Sequence, residues 1–287
     1  MAINMRTNLP SLAAQRNMGA TTDRLNQSYQ RLASGMRINK ASDDAAGLAI
    51  AENLRADSTL ATVAIRNAND AISVITIADQ ATGQISNILN RLSELAQQSA
   101  NGVYDVTQRS ALQNEFTALS SEIERIAVTT VFNGIDLLSS GQTLTFQVGY
   151  DGSSLSQLSY QGIGATLQAI GLADAGSSAM VYSISASTEL DAQSAARFAL
   201  EAISQALASV NRNRGNLGAL ESRLSTSISN LQVARENFKA AESQIRDLDV
   251  AQEAAELTRL NILNQAGAAV LAQANQQPSI AMQLLGR

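Results

Sequence analysis

The chain has no cysteine, no histidine and no tryptophan, and only two prolines in 287 residues. Without cysteine there is no disulfide and no thiolate nucleophile. Without histidine there is no imidazole base and no imidazole ligand. A zinc site would have to be built from carboxylates alone, which that metal disfavours. A cysteine-free chain tolerates any redox compartment, so its composition is compatible with export. Aromatic residues make up 3% of the chain, too few for a thick globular core built on large rings. The longest apolar runs, Ala45–Ala51 and Ala266–Ala272, are seven residues each, far short of a membrane-spanning helix. No basic block interrupts a net charge of −5, which argues against nucleic acid as a partner. The opening MAINMRTNLP lacks the basic region and continuous apolar core of a signal peptide. Export without a cleavable signal is therefore the expectation if the chain leaves the cell.

What is present is a 45% hydrophobic content dominated by Ala and Leu, suited to helices packed along their length. Pro10 and Pro278 stand near the two ends, so everything between is free of the strongest helix breaker. Leu25, Tyr29, Leu32 and Met36 are spaced four, three, four; Ile65, Ala68, Ile72 and Ile75 run three, four, three. Both are apolar helix stripes. Asn101-Gly102 breaks the first helical region. A second helix carries Leu112, Phe116, Leu119, Ile123 and Ile126, and Asn133-Gly134 marks the next turn. Residues 141–187 are punctuated by glycine. There Leu144, Phe146, Val148 and Tyr150 alternate at the period of a strand, and Asp151-Gly152 reads as a hairpin turn.

Helix resumes at Thr188, which has capping-box spacing to Asp191, and is expected to run some sixty residues. A four-three stepping from Ile203 to Ile245 meets apolar residues at nine of thirteen positions. That seam is a coiled-coil or long-bundle signal. Its polar members are Arg214, Glu221, Arg235 and Glu242. They either fix register or mark where a straight helix drifts off a strict heptad. A last helix covers Val250–Gln276 and is expected to end before Pro278. The fold class read from this pattern is mainly α. It is a long antiparallel helical bundle of N- and C-terminal segments around a small β-hairpin region.

No catalytic, cofactor or metal constellation is found. Gly162-Ile163-Gly164 lacks the third glycine of a dinucleotide loop. The only lysines, Lys40 and Lys239, sit in no Ser-x-x-Lys motif. Asp43-Asp44 reads as a helix N-terminus rather than an acid/base pair, because adjacent helix positions point apart and acids complement the helix dipole. Asp247-Leu248-Asp249 lacks the downstream Gly and Glu of a calcium loop. Arg212-Asn213-Arg214 reads as an exposed helix face. No enzyme activity and no cofactor are expected.

Five segments resemble a known family. Leu32–Arg55 (LASGMRINKASDDAAGLAIAENLR), Leu95–Gly102 (LAQQSANG) and Phe132–Leu138 (FNGIDLL) resemble the N-terminal signature of bacterial flagellins. Ile245–Leu257 (IRDLDVAQEAAEL) and Ala266–Gln276 (AGAAVLAQANQ) resemble the C-terminal one. The departures, Ala33, Leu248 and Ser279, are minor.

The resemblance implies five segments and a partner set. Residues 1–44 and 249–287 would form an inner filament-core helix pair. Residues 45–140 and 188–248 would form an outer bundle, with 141–187 as hairpin and variable surface loops. The subunit would self-assemble into an extracellular flagellar filament for swimming; a hook–filament junction protein is the alternative. Implied partners are further copies of the chain, an export chaperone, and filament cap and hook-junction proteins. The apolar residues Ile262, Leu263, Ala266, Ala269, Val270 and Leu271 would form the subunit-packing and chaperone-binding tail. Arg91, Leu95 and Glu115 stand where family members detected by a host Toll-like receptor make contact. Ser93 and Gln97 depart from that pattern.

Overall fold

The computed structural model describes the backbone of residues 7–285 and the side chains of 7–278. The outermost parts of the expected core helices, residues 1–6 and 286–287, lie outside the described residues. Among the described residues five α-helices carry the fold: α1 (Leu9–Ser34), α2 (Ala45–Ala100), α3 (Val106–Thr129), α4 (Glu189–Arg246) and α5 (Val250–Leu285). Two small antiparallel sheets separate α3 from α4. The first pairs β1 (Val131–Phe132) with β2 (Ile135–Asp136), and the second pairs β3 (Thr143–Gln147) with β4 (Gln157–Gln161).

The chain divides into two compact units, Met1–Ser58 with Glu236–Arg287, and Thr59–Arg235. The boundaries of these units fall inside α2 and α4. Helix continuity is set by local backbone hydrogen bonds, whereas a compact unit is set by which neighbours each turn packs against.

The unit Thr59–Arg235 holds the main apolar core. Ile75, Ile85, Leu89 and Leu92 of α2, Phe116 and Ile123 of α3, and Ile203, Val210, Leu217 and Leu224 of α4 are all buried in it. Leu137, Tyr160, Leu167, Leu172 and Ile184 from the connecting region close it. Burial pushes the Tyr160 hydroxyl above its ordinary pKa, and that hydroxyl donates to the Leu137 carbonyl at 3.0 Å.

Local signals act as expected at most ends. Asp105 caps α3 in a reciprocal capping box with Gln108. Thr188 accepts from the Asp191 amide at the start of α4. Asn133 and Gly134 have φ of 50° and 78°, the two positive values that a tight β1–β2 turn needs.

Three expectations are corrected. Asp151-Gly152 is not a tight turn, since residues 148–156 intervene between β3 and β4. The Gln147 amide donates to the Asp151 carbonyl at 2.7 Å, and the Asp151 carboxylate accepts from Ser153 and Ser156. These side-chain bonds hold open a wider loop.

The seam of α4 takes Ile203, Ala206, Val210, Leu217, Leu220 and Leu224, stepping three before four. Arg214 and Glu221 therefore flank the buried face rather than interrupt it. Arg214 pairs with Asp79 of α2 at 2.9 Å.

Finally, α5 does not stop before Pro278 but runs through it to Leu285. Proline has no N–H, so the Ala274 carbonyl four residues back loses its helical donor. The Asn8 side-chain amide donates to that carbonyl at 2.8 Å, which removes much of the reason to end the helix there.

Candidate assembly surfaces

In the unit formed by the two ends of the chain, α1 and α5 pack together through polar side chains. Asn8 caps α1, its side-chain oxygen accepting from the Ser11 amide, while its nitrogen serves Ala274. Pro10 sits in the first turn of α1, where its missing N–H costs nothing. The Ser11 hydroxyl bonds the Asn275 carboxamide oxygen at 2.7 Å, and Asn264 donates to the Thr22 hydroxyl at 3.1 Å. The buried residues of α1 are serines, Ser11 and Ser28. In α5 they are Leu260 and Ala274.

Several large apolar side chains of this pair face outward instead. Leu9, Leu12 and Tyr29 on α1 are exposed, as are Ile262, Leu263 and Val270 on α5. Ala266 and Ala269 are also exposed, and Leu271 is half-buried. All six residues singled out in the tail thus lie on or beside one accessible apolar surface. A helix of such composition is marginal in water unless something covers it.

The connections between these helices and the bundle helices of the same unit are tightly bonded. Gly35 ends α1 at φ 70° and donates to the Arg31 carbonyl. The Leu248 amide donates to Gly35, the Arg37 amide to Arg246, and Met36 and Asp247 form an isolated bridge. Arg246 also reaches Glu52 at 2.8 Å. Asp43 accepts from the Lys40 and Asn39 amides and from Gln27, and those backbone donors hold its carboxyl below the usual range. Asp44 caps α2 through the Gly47 amide at 2.9 Å, and Asp249 serves the Ala251 and Gln252 amides at the start of α5. Both acidic pairs are thus engaged as helix caps and turn acceptors.

On the Thr59–Arg235 unit, Arg91 bridges two carboxylates, Glu94 and Glu115, each at 2.8 Å. Those bonds raise the guanidinium's pKa further, the hydrogen bond to Glu94 being the largest single cause and the bond and charge of Glu115 coming next. All three residues are exposed. Leu95 is not with them, being 1% exposed and packed in the core. Four helical residues turn through about 400°, so Leu95 is rotated some 40° from Arg91. Here that rotation crosses the edge of a broad buried face. The expectation of one exposed grouping of Arg91, Leu95 and Glu115 is corrected in that respect. Glu94 was missed although its three-residue spacing from Arg91 was a readable signal.

Arg109 was missed as well. It is fully buried and donates to the Glu189 carbonyl at 2.8 Å and the Asn101 carbonyl at 3.0 Å. It thereby ties α3 to the end of α2 and the start of α4. Stepping back three from Leu112 along the α3 seam lands on it, so the period did place it inward.

Residues 5–143 match the bacterial flagellin N-terminal helical region and residues 200–285 the bacterial flagellin C-terminal helical region. The chain is 43% identical to a flagellin of Halalkalibacterium halodurans, over 97% of this chain and 98% of that one. It is 37% identical to a flagellin of Bacillus subtilis, with the same coverage. It is 35% identical to the flagellar filament 33 kDa core protein of Treponema phagedenis, again over 97% and 98%. Among solved structures it is similar to the crystal structure of a Bacillus cereus flagellin. That match has 28% identity and a TM-score of 0.47, covering 58% of this chain and 88% of the other.

Proposed function

The chain belongs to the bacterial flagellin family, and from that premise we propose how its parts divide the work of building a filament. It is a structural subunit that self-assembles into the extracellular flagellar filament on which bacteria swim. The relatives named above are filament proteins, and none is a hook-junction protein. The work of such a subunit is mechanical rather than catalytic.

The inner helix pair, residues 1–44 with 249–287, supplies the principal contact between copies, and residues 45–140 with 188–248 form the bundle around it. Residues 141–187 supply hairpin and surface loops. One observation carries this division: the exposed apolar row of Ile262, Leu263 and Val270, on a helix pair whose own interior is mostly serine and alanine. Covering each such aliphatic side chain is worth about 1.5–3 kcal/mol. Helical order of both ends is therefore coupled to assembly.

Before export the same row is shielded by a flagellar chaperone. The growing filament meets cap and hook-junction proteins at its ends. A host Toll-like receptor would read the exposed Arg91–Glu94–Glu115 cluster, with Leu95 holding α2 in place beneath it.

Removing residues 264–287 tests the division. The truncated chain should keep the cooperative unfolding of the Thr59–Arg235 unit and form no filaments by electron microscopy. Normal filaments from it would sink the proposal.

A further inference from the structure

Two Asn-Gly pairs occur in the chain, Asn101-Gly102 and Asn133-Gly134. Both sit in turns, but their surroundings differ. An asparagine followed by glycine is able to modify itself. The glycine nitrogen attacks the side-chain carboxamide carbon, ammonia leaves, and a cyclic imide forms. The rate depends on how readily the glycine N–H gives up its proton and on how polarised the carboxamide is. It also depends on whether the backbone lets the two groups meet.

At Asn101 each condition is met. Asn101, Gly102 and Val103 are exposed in the connection between α2 and α3, so water and hydroxide reach them. Arg109 donates through Nη2 to the Asn101 carbonyl at 3.0 Å. That oxygen belongs to the same peptide unit as the Gly102 nitrogen, so a cation on it stabilises the anion left when the Gly102 N–H is deprotonated. Arg109 is fully buried, and its Nε has no partner. No carboxylate pairs with it among the described residues. Its charge therefore acts on the two carbonyls it bonds, Asn101 and Glu189, with little screening by water. The Val103 amide donates to the Asn101 Oδ1 at 3.3 Å. This bond folds the carboxamide back along the Gly102 peptide. It also aims a donor at the oxygen on which negative charge gathers as the nitrogen attacks. The Gly102 amide makes no hydrogen bond among the described residues and is free to react.

The second pair is clamped instead. Asn133 and Gly134 hold φ of 50° and 78°, flanked by the pairs Phe132 with Ile135 and Val131 with Asp136. No backbone donor reaches the Asn133 carbonyl among the described residues. Moving the Gly134 nitrogen onto the side chain requires leaving that turn, which costs the flanking backbone bonds.

We propose that Asn101 is a site of self-modification, at which Arg109 and the Val103 amide promote closure of the imide. Hydroxide removes the Gly102 proton, and the nitrogen bonds to the Asn101 Cγ. The side-chain nitrogen takes a proton from water and leaves as ammonia. Water then opens the imide. Breaking the bond from nitrogen to Cγ gives aspartate. Breaking the bond from nitrogen to the main-chain carbonyl carbon gives isoaspartate, whose main chain runs through the former side chain. Either product places a carboxylate beside Arg109, a buried cation that had none.

The test compares the two pairs in one molecule. Purified full-length protein is held at mildly alkaline pH, folded and, in parallel, unfolded in guanidinium chloride. Peptide mapping by mass spectrometry reads aspartate and isoaspartate at both positions over time. In the unfolded chain the two pairs should convert at similar rates. In the folded chain Asn101 should convert about tenfold faster than when unfolded, the worth of one hydrogen bond to the forming anion. Asn133 should convert more slowly folded than unfolded. Conversion of folded Asn101 no faster than in the unfolded chain would overturn the proposal.

Arg109→Gln isolates the buried cation. With its fold verified by circular dichroism, it should bring Asn101 back toward the unfolded rate. A folded Arg109→Gln chain that converts as fast as the wild type would overturn the role of Arg109. The wild-type comparison decides the proposal even where this variant fails to fold.

Discussion

The two compact units of this subunit are both helical, yet they are held together differently. The Thr59–Arg235 unit buries leucine, isoleucine and phenylalanine from three helices and closes the core with residues from the hairpin region. In the other unit the α1–α5 pair buries serines, a leucine and an alanine, and leaves several large apolar residues exposed. Its specificity comes from directional bonds: Asn8 to Ala274, Ser11 to Asn275, Asn264 to Thr22. Apolar burial supplies most folding free energy, whereas side-chain hydrogen bonds contribute modestly and mainly choose one geometry over others. A subunit built this way has one part with a large apolar core and one part whose helix register is set by hydrogen bonds while large apolar side chains stay exposed.

That contrast can be broken most severely by matched substitutions in the two units. Ile203→Ala removes a fully buried side chain of the core and should lower monomer stability by about 2–5 kcal/mol. Ile262→Ala removes an exposed one and should leave monomer unfolding within about 0.5 kcal/mol while raising the critical concentration for filaments. Chemical denaturation followed by circular dichroism, beside sedimentation of filaments, measures both. Equal effects of the two changes on the monomer would erase the distinction between the units.

A finer test targets the hydrogen bonding of the terminal pair. Asn8→Ala leaves the Ala274 carbonyl without a donor and removes the α1 cap, which should cost filaments about 1–3 kcal/mol of stability. In a Pro278→Ala background the restored backbone N–H takes over one of those roles, so Asn8→Ala should cost less there. A double-mutant cycle on filament melting reads this coupling, and strict additivity would show that the Asn8–Ala274 bond does not offset the proline.

The smallest expected effect is of pH on the connection at Asp43. Amide donors from Lys40 and Asn39 keep this carboxyl below its ordinary value, which is about 4 for an aspartate. A depressed folded-state pKa contributes stability that is fully present above the unfolded value and is lost as pH falls through the folded one. Amide protection factors of residues 36–44, which correct for the intrinsic pH dependence of exchange, should therefore be flat above about pH 4 and fall below it. Asp43→Asn should flatten the profile; an acid-induced loosening that survives in Asp43→Asn would place its origin elsewhere.

Much of this organisation was legible in the residues. The α3 period located Phe116 and Ile123, the Asn133-Gly134 pair located the β1–β2 turn, and Thr188 located the start of α4. Each is a local signal that acts within a few residues. The terminal matches to the flagellin family were equally plain, because five segments in fixed order carry far more information than any short motif. The misreadings share one cause. Pro278 is a helix breaker only if nothing else bonds the Ala274 carbonyl, and its donor, Asn8, comes from the other end of the chain. Leu95 seemed available beside Arg91 because sequence spacing does not say how wide a buried face is, and α2 is packed over a broad one. Arg214 and Glu221 counted as interruptions because a four-three stepping chose Leu207 where the bundle buries Ala206.

The sequence by itself determined that both flanks of this protein are helical, that its strands lie between them and that it shares the flagellin signatures. Periodicity, caps and composition act locally or by simple presence, so they can be read without coordinates. Only the tertiary structure decided which face of each helix is covered, that a proline could be carried through a helix, and that Leu155 and Arg197 stand exposed. Those outcomes depend on partners hundreds of residues away in the chain, or on the lack of any, and burial and hydrogen bonding are properties of neighbours in space.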